Sequence, residues 1–573
     1  MTITISVDGE GEEQLDADYI AEETNSIKIH LDEDPAEEEE PPAEPAPPFH
    51  PAAINVGTST QNYIVTRTYT SANASSWQDK VIYYDGLGRP IETVQASASP
   101  TTSADLVTYQ EYDNAGRASN VWLPTVTTAG NGAFVPFADF TTKAANTYTN
   151  ETKPYAKPVY EASPLNRIVE QYGPGQAWHD NHRSVKTTFL TNEVGNDTLN
   201  CILYEPLTVV SATDTLVTIT NTGNYATAQL HVTRTEDEDG NASFEFKDKQ
   251  GKVVLTRQIN DKEDGTKETF DTYYIYDDYG NKVAVLPPEA SDRLKATGTW
   301  TNANSTVLRD YAFLYLYDVR NRNIAKRQPG QQWTYYVYDT ADHLVFTQTG
   351  NLRAQGKWMF TLQDDFDRDC LTGLCSNTLN PFAAAPLASV VKATRSASAT
   401  FHGYTLSGVT LSSPTLLDAK YYDDYTFVGT NGFPSSANFG YDSSLETDGF
   451  GQRYATSSKT MLTGEKIARL DNSATSAVYD YTVNYYDYRH RLIQTKSTNQ
   501  LEGYDLTCTV YDFTGHPTKV KHMQTGSGKS TQTELYTYTY DNMGRLLTTK
   551  HKLNAGSEVT LVDNVYDELG RLK

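Results

Sequence analysis

A short phrase, Tyr-Asp-x-x-Gly-Arg, recurs along the chain and limits the fold more than any other feature. In its clearest copy, Tyr536, Tyr538 and Tyr540 alternate with Thr, so their rings share one face of a pleated strand. Asp541 suits the first position of a type I turn, because its carboxylate can accept nearby backbone N–H groups. Gly544 suits the left-handed conformation that closes a hairpin with a bulge. The phrase therefore predicts a strand, a tight turn and a return strand.

Nine variants of this phrase occur. Where Gly is replaced, Asn, Asp or His stands in its place, and these residues best tolerate a positive φ. The variation thus preserves the backbone requirement, which chance matches would not do. The predicted repeat residues are Tyr84, Asp85, Gly88, Arg89, Tyr112, Asp113, Gly116, Arg117, Tyr276, Asp277, Gly280, Tyr317, Asp318, Tyr338, Asp339, Tyr486, Asp487, Tyr511, Asp512, Gly515, Tyr540, Asp541, Gly544, Arg545, Tyr566, Asp567, Gly570 and Arg571.

The spacing of the C-terminal copies indicates a repeat architecture. Their tyrosines lie at 486, 511, 540 and 566, separated by 25, 29 and 26 residues, a period typical of a stacked supersecondary unit. A lone hairpin is marginal in water, so the hairpins must pair edge to edge. We expect the alternating Tyr and Leu/Val to give each hairpin one face to bury. Twist accumulated over many strands would then curl the sheet.

The phrase resembles the signature of the Rhs/YD-repeat family of bacterial polymorphic toxins, toxin-complex C components and animal teneurins. The resemblance covers most of residues 60–573. The segment Val81–Pro90 is also similar to the N-terminal domain of unknown function that precedes Rhs repeats in Bacteroidetes proteins, and the segments Asp237–Asn241 and Phe244–Val254 resemble another part of them. The resemblance implies an all-β fold in which antiparallel YD-repeat hairpins form a curled, spiralling β-sheet shell, here a partial Rhs cocoon.

The chain divides into six predicted regions. They are a disordered acidic and Pro-rich tail (1–54), an N-terminal Rhs-associated domain (55–190), an antiparallel β region (191–270), repeats (271–377), an Ala/Ser/Pro-rich insert (378–415) and further repeats (416–573). Two short helices are expected, one over Pro287–Leu294 and one near Leu387–Thr394. The last repeat stops after a turn signature, so we expect an incomplete C-terminal end with an open sheet edge near Lys573 that self-associates.

Charge and composition limit the partners. The formal net charge is −26, and residues 1–50 carry −15 of it, from 16 acids and one Lys. No basic stripe favours nucleic acid, and no run of about 18 apolar residues favours a membrane span. The tail reads as a solvating linker or as a docking segment for a basic chaperone or secretion adaptor. The N-terminus lacks the features of a signal peptide.

No arrangement of residues predicts catalysis, a cofactor or a metal site. Gly526-Ser-Gly-Lys-Ser530 imitates part of a phosphate loop, but Met523 stands where that motif needs its first glycine. Trp178-His179-x-x-His182 lacks the third ligand that zinc needs. Cys370 and Cys375 fit a local disulfide, half a metal site or two ordinary thiols.

The leading hypothesis is a non-catalytic scaffold of a secreted polymorphic toxin that encapsulates and delivers a C-terminal toxin domain. The resemblance implies a self-cleaving core segment with an Asp-Pro-x-Gly-Leu-like motif, and this chain contains no such motif. A second hypothesis is a cell-surface adhesin whose Tyr-rich faces bind carbohydrate or a receptor on a neighbouring cell. A third places an enzyme in the 378–415 insert.

Overall fold

The computed structural model describes residues 2–6, 61–73, 75–127, 130–210, 215–261, 267–396, 399, 401–454, 458–470 and 478–573. Strands hold 47% of the residues and helices 8%, so the predicted all-β class is confirmed. The strands are β1 (Thr2–Ser6), β2 (Asn62–Tyr69), β3 (Trp77–Tyr84), β4 (Pro90–Gln95), β5 (Leu106–Tyr112), β6 (Ala118–Trp122), β7 (Thr125–Val126), β8 (Tyr155–Tyr160), β9 (Ile168–Tyr172), β10 (Ser184–Thr191), β11 (Ile202–Val210), β12 (Thr215–Asn224), β13 (His231–Glu236), β14 (Ala242–Lys247), β15 (Val253–Asp261), β16 (Lys267–Tyr276), β17 (Lys282–Leu286), β18 (Gly298–Thr301), β19 (Phe313–Tyr317), β20 (Asn323–Arg327), β21 (Thr334–Tyr338), β22 (Leu344–Gln348), β23 (Trp358–Gln363), β24 (Asp369–Cys375), β25 (Lys392–Arg395), β26 (Tyr404–Ser407), β27 (Thr415–Asp423), β28 (Ser458–Arg469), β29 (Val478–Tyr486), β30 (Leu492–Thr498), β31 (Tyr504–Tyr511), β32 (Pro517–Gln524), β33 (Gln532–Tyr540), β34 (Leu546–Leu553) and β35 (Val559–Asp563).

The helices are short and lie between strands. They are α1 (Phe137–Thr147), α2 (Gln176–Asp180), α3 (Pro288–Arg293), α4 (Thr306–Asp310), α5 (Gly350–Ala354) and α6 (Ser436–Phe439), with a 3₁₀ turn at Ser443–Glu446. The predicted helix after Pro287 is confirmed as α3. The helix expected near Leu387–Thr394 is wrong: Lys392–Arg395 form β25, which pairs with β26 in a small hairpin. Thr394 favours an extended backbone, and pairing with β26 overrides the helix preference of Ala393.

Within the described residues, thirty strands form one continuous antiparallel sheet. Most neighbours in the sheet are also neighbours in sequence, as in the run from β13 to β17 and the run from β27 to β35. The other strands make a three-stranded sheet of β11, β12 and β18 and the hairpin of β25 and β26. Strand β1 pairs with β2, so residues 2–6 belong to the sheet and not to a tail. The rest of the predicted tail lies outside the described residues.

One face of the sheet carries almost all of its buried residues. Residues opposite one another in the ladder share a face, so the registers trace this core face from strand to strand. It runs, for example, through Phe246, Leu255, Tyr273 and Leu286, which are paired in that order. We call the other side the opposite face. The buried side chains therefore stay on one face from hairpin to hairpin, without the one-residue shift of register that would turn them to the other face.

Segments inserted between the strands cover the core face. Helix α1 places Phe140 and Ala144 against Val107 and Trp122. The sheet of β11, β12 and β18 and the stretch around α3 cover β14 to β19, and they contribute Tyr204 and Leu294 to the core there. The insert after β24 and the segment between β27 and β28 bring Tyr404, Phe427 and Phe433 onto β23 to β29. The predicted 378–415 insert is thus part of a second layer of the protein.

Candidate functional site: the turn edge of the sheet

Each repeat phrase folds into the same five-residue turn. Oδ1 of Asp85 accepts the N–H groups of Leu87 and Arg89 at 2.9 Å, and its Oδ2 accepts Nε of Arg89 at 2.8 Å. The N–H of Gly88 donates to the Asp85 carbonyl at 3.0 Å, and Gly88 has a φ of 75°. Residue Ile91 then forms a bulge opposite Tyr83 and Tyr84. This is the type I turn with a left-handed residue and a bulge that the sequence indicates.

The structure contains twelve such turns among the described residues, three more than the phrase revealed. The additional ones begin at Asp237, Asp248 and Asp364, where Glu, Lys and Gln precede the Asp in place of Tyr. A search for Asp followed three residues later by a residue that tolerates positive φ would have found them. The Asp and the left-handed residue therefore make the turn, and Tyr has another role.

That role is contact with the preceding hairpin. Tyr540 donates its hydroxyl to the carbonyl of Pro517 at 2.9 Å, and Tyr566 donates to that of Leu546 at 2.8 Å. The Arg of one turn also lies over the Tyr of the next, at 5.6 Å for Arg545 over Tyr566. Arg89 over Tyr112 and Arg491 over Tyr511 repeat this arrangement at 4.4 and 5.0 Å. Where all three residues are present, Asp, Arg and Tyr thus link a hairpin to its neighbour.

This linkage places the repeat tyrosines on the opposite face, which corrects the expectation that they fill the core. Tyr276, Tyr338 and Tyr540 are half-buried, while the residues before them, such as Ile275 and Val337, point into the core face. The reason is the alternation of a strand: the residue that reaches the turn's Arg has to point away from the core.

The linkage continues across insertions. After the long insert that follows β24, Tyr422 donates its hydroxyl to the Asp369 carbonyl at 3.1 Å, and Arg368 lies 4.3 Å over its ring. Arg368 also bonds Asp423 with both terminal nitrogens, at 3.0 and 2.6 Å. Tyr422 and Asp423 therefore take the place of a repeat tyrosine and its partner, although the chain has left the sheet and returned.

The turn geometry perturbs the turn carboxylates. The N–H of Arg89 is the largest influence that lowers the pKa of Asp85, and the guanidinium of Arg89 adds to it. The N–H and then the side chain of Arg117 lower the pKa of Asp113 in the same way. These carboxylates are committed to N–H donors and so serve the turn rather than acid–base chemistry.

Eleven of the twelve turns lie on one edge of the sheet, because successive hairpins run in the same direction. The exception starts at Asp237 on the other edge, where Asp239 of this turn pairs with Arg183. We call these the turn edge and the far edge. The far edge of the N-terminal hairpins carries Thr70, Ser76 and Ala98 at the ends of β2, β3 and β4.

The sheet curls until its C-terminal turn edge meets its N-terminal far edge. Nη2 of Arg545 donates to the carbonyl of Ala98 at 3.2 Å, across 447 residues of sequence. Met543 contacts the side-chain amide of Gln78, and Tyr148 lies beside Asp567 and Arg571. A cavity of about 520 Å³ separates the two edges between Thr68 and Tyr538. We call this the winding contact; it joins the two ends of the repeat array.

The other candidate sites do not assemble. Nε2 of His179 lies 3.2 Å from the Tyr155 carbonyl and its ring stacks on Tyr172, and no cluster of three or more His, Cys, Asp or Glu side chains suited to a metal occurs in the described part of the chain. Cys370 and Cys375 are buried free thiols in one hydrophobic cluster, where Cys370 is the bulge residue of β24. Residues 526–530 form the link between β32 and β33.

Comparison with known proteins gives a partial match. Residues 57–191 match the family described as Domain of unknown function (DUF6443), a segment that contains β2 to β10. No curated protein matches the chain. Within the described residues, no helix has the length and apolarity needed to cross a membrane.

Several solved structures are similar over most of this chain at low identity. The crystal structure of TcdB2-TccC3-TEV is 12% identical with a TM-score of 0.44, and the match covers 92% of this chain and 23% of that one. The structure of the Photorhabdus luminescens Tc holotoxin pore is 12% identical with a TM-score of 0.40, and the match covers 89% of this chain and 22% of that one. The chain therefore spans less than a quarter of the length of the proteins that it matches.

Proposed function

We propose that this chain is a wall segment of a protein shell that encloses a polypeptide cargo, as in the Rhs/YD-repeat proteins that its turn signature resembles. The observation that carries the proposal is the winding contact. A sheet whose two ends meet edge to edge, through Arg545 and Ala98, surrounds a space. Under this proposal the cargo is a toxin domain, the protein acts outside the producing cell, and the chain is a scaffold without catalysis of its own.

The size of the winding is consistent with a cargo. About 25 strand-to-strand steps of about 4.8 Å separate β3 from β34, which gives a perimeter of about 120 Å and a diameter of about 40 Å. Two packed sheets need only about 10 Å between them. The space inside the winding is therefore too wide to be filled by the side chains of the sheet itself.

The turns supply the rigidity that such a wall needs. A curled sheet has no continuous core across its diameter, so each hairpin depends on its neighbours. The Asp-Arg-Tyr linkage joins neighbours on the opposite face, and the covering segments join them on the core face. The acidic residues near the N-terminus would serve solubility or an export adaptor.

Protease protection tests the proposal. A non-folding reporter peptide is fused after Lys573 of the full chain and exposed to a protease. We expect the reporter to be cut more slowly than the same peptide fused to an unrelated folded domain. The variant Met543→Asp, which puts a charge into the winding contact, should lose the protection while its circular dichroism stays unchanged. Equal cleavage of the reporter in all three proteins would rule out enclosure.

A second function is favoured by one observation, a cleft of about 480 Å³ on the second quarter of the chain. Tyrosines line it together with acids and lysines; they include Tyr225, Tyr274, Tyr276, Asp248 and Lys252. Aromatic rings beside hydrogen-bonding groups suit carbohydrate. This adhesin function predicts that the intact chain binds to a glycan array and that Tyr274→Ala and Tyr276→Ala abolish that binding. An array on which the intact chain binds no glycan would rule out the adhesin function.

A further inference from the structure

Five of the strongly exposed apolar side chains in the described part of the chain lie on the tips of the turns. Leu87 is 79% exposed, Tyr279 82%, Val319 101%, Phe366 76% and Tyr488 65%. Each sits between a turn Asp and the left-handed residue that ends the turn. Single exposed apolar residues are ordinary, but a row of them along one edge is not.

The winding contact shows what such tips do when they have a partner. Met543 occupies the same place in its turn as Tyr279 does, one residue before the left-handed glycine. Met543 is half-buried because it packs on the far edge at Gln78. The turn of Leu569 lies beside Tyr148, and Leu569 is half-buried as well. The tips therefore differ in exposure according to whether a far edge lies against them.

We propose that the free part of the turn edge, marked by Leu87, Tyr279, Val319, Phe366 and Tyr488, is an interface that binds the far edge of a second copy of this chain. The free tips continue the edge that already makes the winding contact, and they present the same turn shape. Among the described residues, the contacts between the two edges of one copy involve Gln78, Ala98 and Tyr148 near its N-terminal end, so the far edge along the middle of the sheet is the surface offered to a second copy.

The expected contact is head to tail. The turn edge of one copy meets the far edge of the next, so the two surfaces differ, and the association either closes into a ring or extends as a stack. The inference shares the winding contact with the proposed function but needs no cargo, so association and reporter protection can fail separately.

Sedimentation of the full chain over a hundredfold range of concentration tests it. The unmodified protein should form species larger than its 63.7 kDa monomer. The fivefold variant Leu87→Asn, Tyr279→Asn, Val319→Asn, Phe366→Asn and Tyr488→Asn should remain monomeric, with at least about tenfold weaker association. Asn114 and Asn542 already occupy the position of Val319 and Tyr488 in two other turns. Polar residues such as Gln250 and Thr514 occupy the position of Leu87, Tyr279 and Phe366.

Two matched variants locate the interface. Leu207→Asn with Val209→Asn and Phe270→Asn removes exposed apolar side chains away from the turn edge and should leave association unchanged. Leu561→Lys places a charge on β35, the last strand of the sheet, and should also leave it unchanged. A monomeric unmodified protein, or association that survives the fivefold variant and is lost in Leu561→Lys, would overturn the inference.

Discussion

Strands β14 to β24 and strands β32 to β35 consist of the same hairpins, yet they differ sharply in burial. In the first group the core face holds fully buried residues such as Phe246, Leu314 and Phe360. In the second group Thr549 is the one buried residue between 517 and 563. The hairpin geometry is common to both, so the covering segments, not the repeats, create the core.

The side chains on the core face follow the same division. Where a covering segment is present, the face carries Leu, Ile, Phe and Trp. In β32 to β34 the corresponding positions hold Lys519, Lys521, Thr537, Lys550 and Lys552, which register with one another across the three strands. On this face, among the described apolar side chains, Met523 and Leu535 alone pack against the small cluster of Leu445 and Phe450, so these hairpins depend more on the turn linkages and on the winding contact for their stability.

The largest expected difference comes from truncating one core-face side chain in each region. Phe360→Ala in the covered region should cost about 3–5 kcal/mol of unfolding free energy, because it leaves a cavity that the second layer cannot fill. Leu535→Ala in the uncovered region should cost about 1 kcal/mol, since that side chain is only partly removed from water. Denaturant unfolding followed by tryptophan fluorescence measures both. Equal costs would show that the uncovered hairpins have a core of their own.

Ion pairs sharpen the comparison. Arg257 and Asp271 form a buried pair on β15 and β16, with side chains only 4% exposed, and Arg257 also donates to the carbonyls of Asp197, Thr198 and Asn200. Asp271→Asn should cost about 3 kcal/mol, because it leaves a buried guanidinium without its counter-charge. Asp567→Asn, in the exposed pair with Arg571, should cost less than about 1 kcal/mol.

The same unfolding experiment compares these two variants. Arg571→Gln is the matched control for Asp567→Asn, because it removes the exposed pair and keeps the turn carboxylate. If Asp567→Asn lowered the unfolding free energy as much as Asp271→Asn does, the turn linkage would stabilise the protein far more than an exposed ion pair can.

A buried acid in the N-terminal region should make its stability pH-dependent. Burial raises the pKa of Glu92 to about 8, and its Oε2 has no hydrogen-bond partner while Oε1 accepts the Val135 N–H at 3.0 Å. The folded pKa lies above the unfolded value of about 4.3, so the stabilising contribution is complete below about pH 4 and is lost as the pH rises towards 8.

Glu92→Gln should therefore raise the melting temperature, and by more at pH 8 than at pH 5, because the amide keeps the bond to Val135 and cannot ionise. Thermal melts at the two pH values measure it, with the exposed Glu568→Gln as control. A gain that does not change with pH would contradict the assignment.

The smallest expected effect is in acid and has the opposite sign. The pKa values of Asp85, Asp113 and Asp567 are lowered, so their turns are fully stabilised above the unfolded pKa of about 3.9 and lose this as the pH falls through the lower folded values. Hydrogen exchange at decreasing pH should show the uncovered hairpins opening before β14 to β24. Simultaneous opening would indicate that the sheet unfolds as one unit.

The sequence by itself determined the hairpins, their turn type and the positions of the left-handed residues, because a turn is fixed by local chemistry: the Asp carboxylate and a residue that tolerates positive φ. It also indicated the insert between the repeats. It failed at Leu387–Thr394, where a partner strand overrides local preference, and at the turns of Asp237, Asp248 and Asp364, where the Tyr that marks the phrase is missing.

Only the tertiary structure decided which face of the strands is buried and where the sheet meets itself. A strand offers two faces, and the repeat tyrosines point away from the core because they contact the preceding hairpin, as Tyr540 does at the Pro517 carbonyl and Tyr566 does at Arg545. The contact of Arg545 with Ala98 depends on small twists summed over many strands, and no local pattern of residues records that sum.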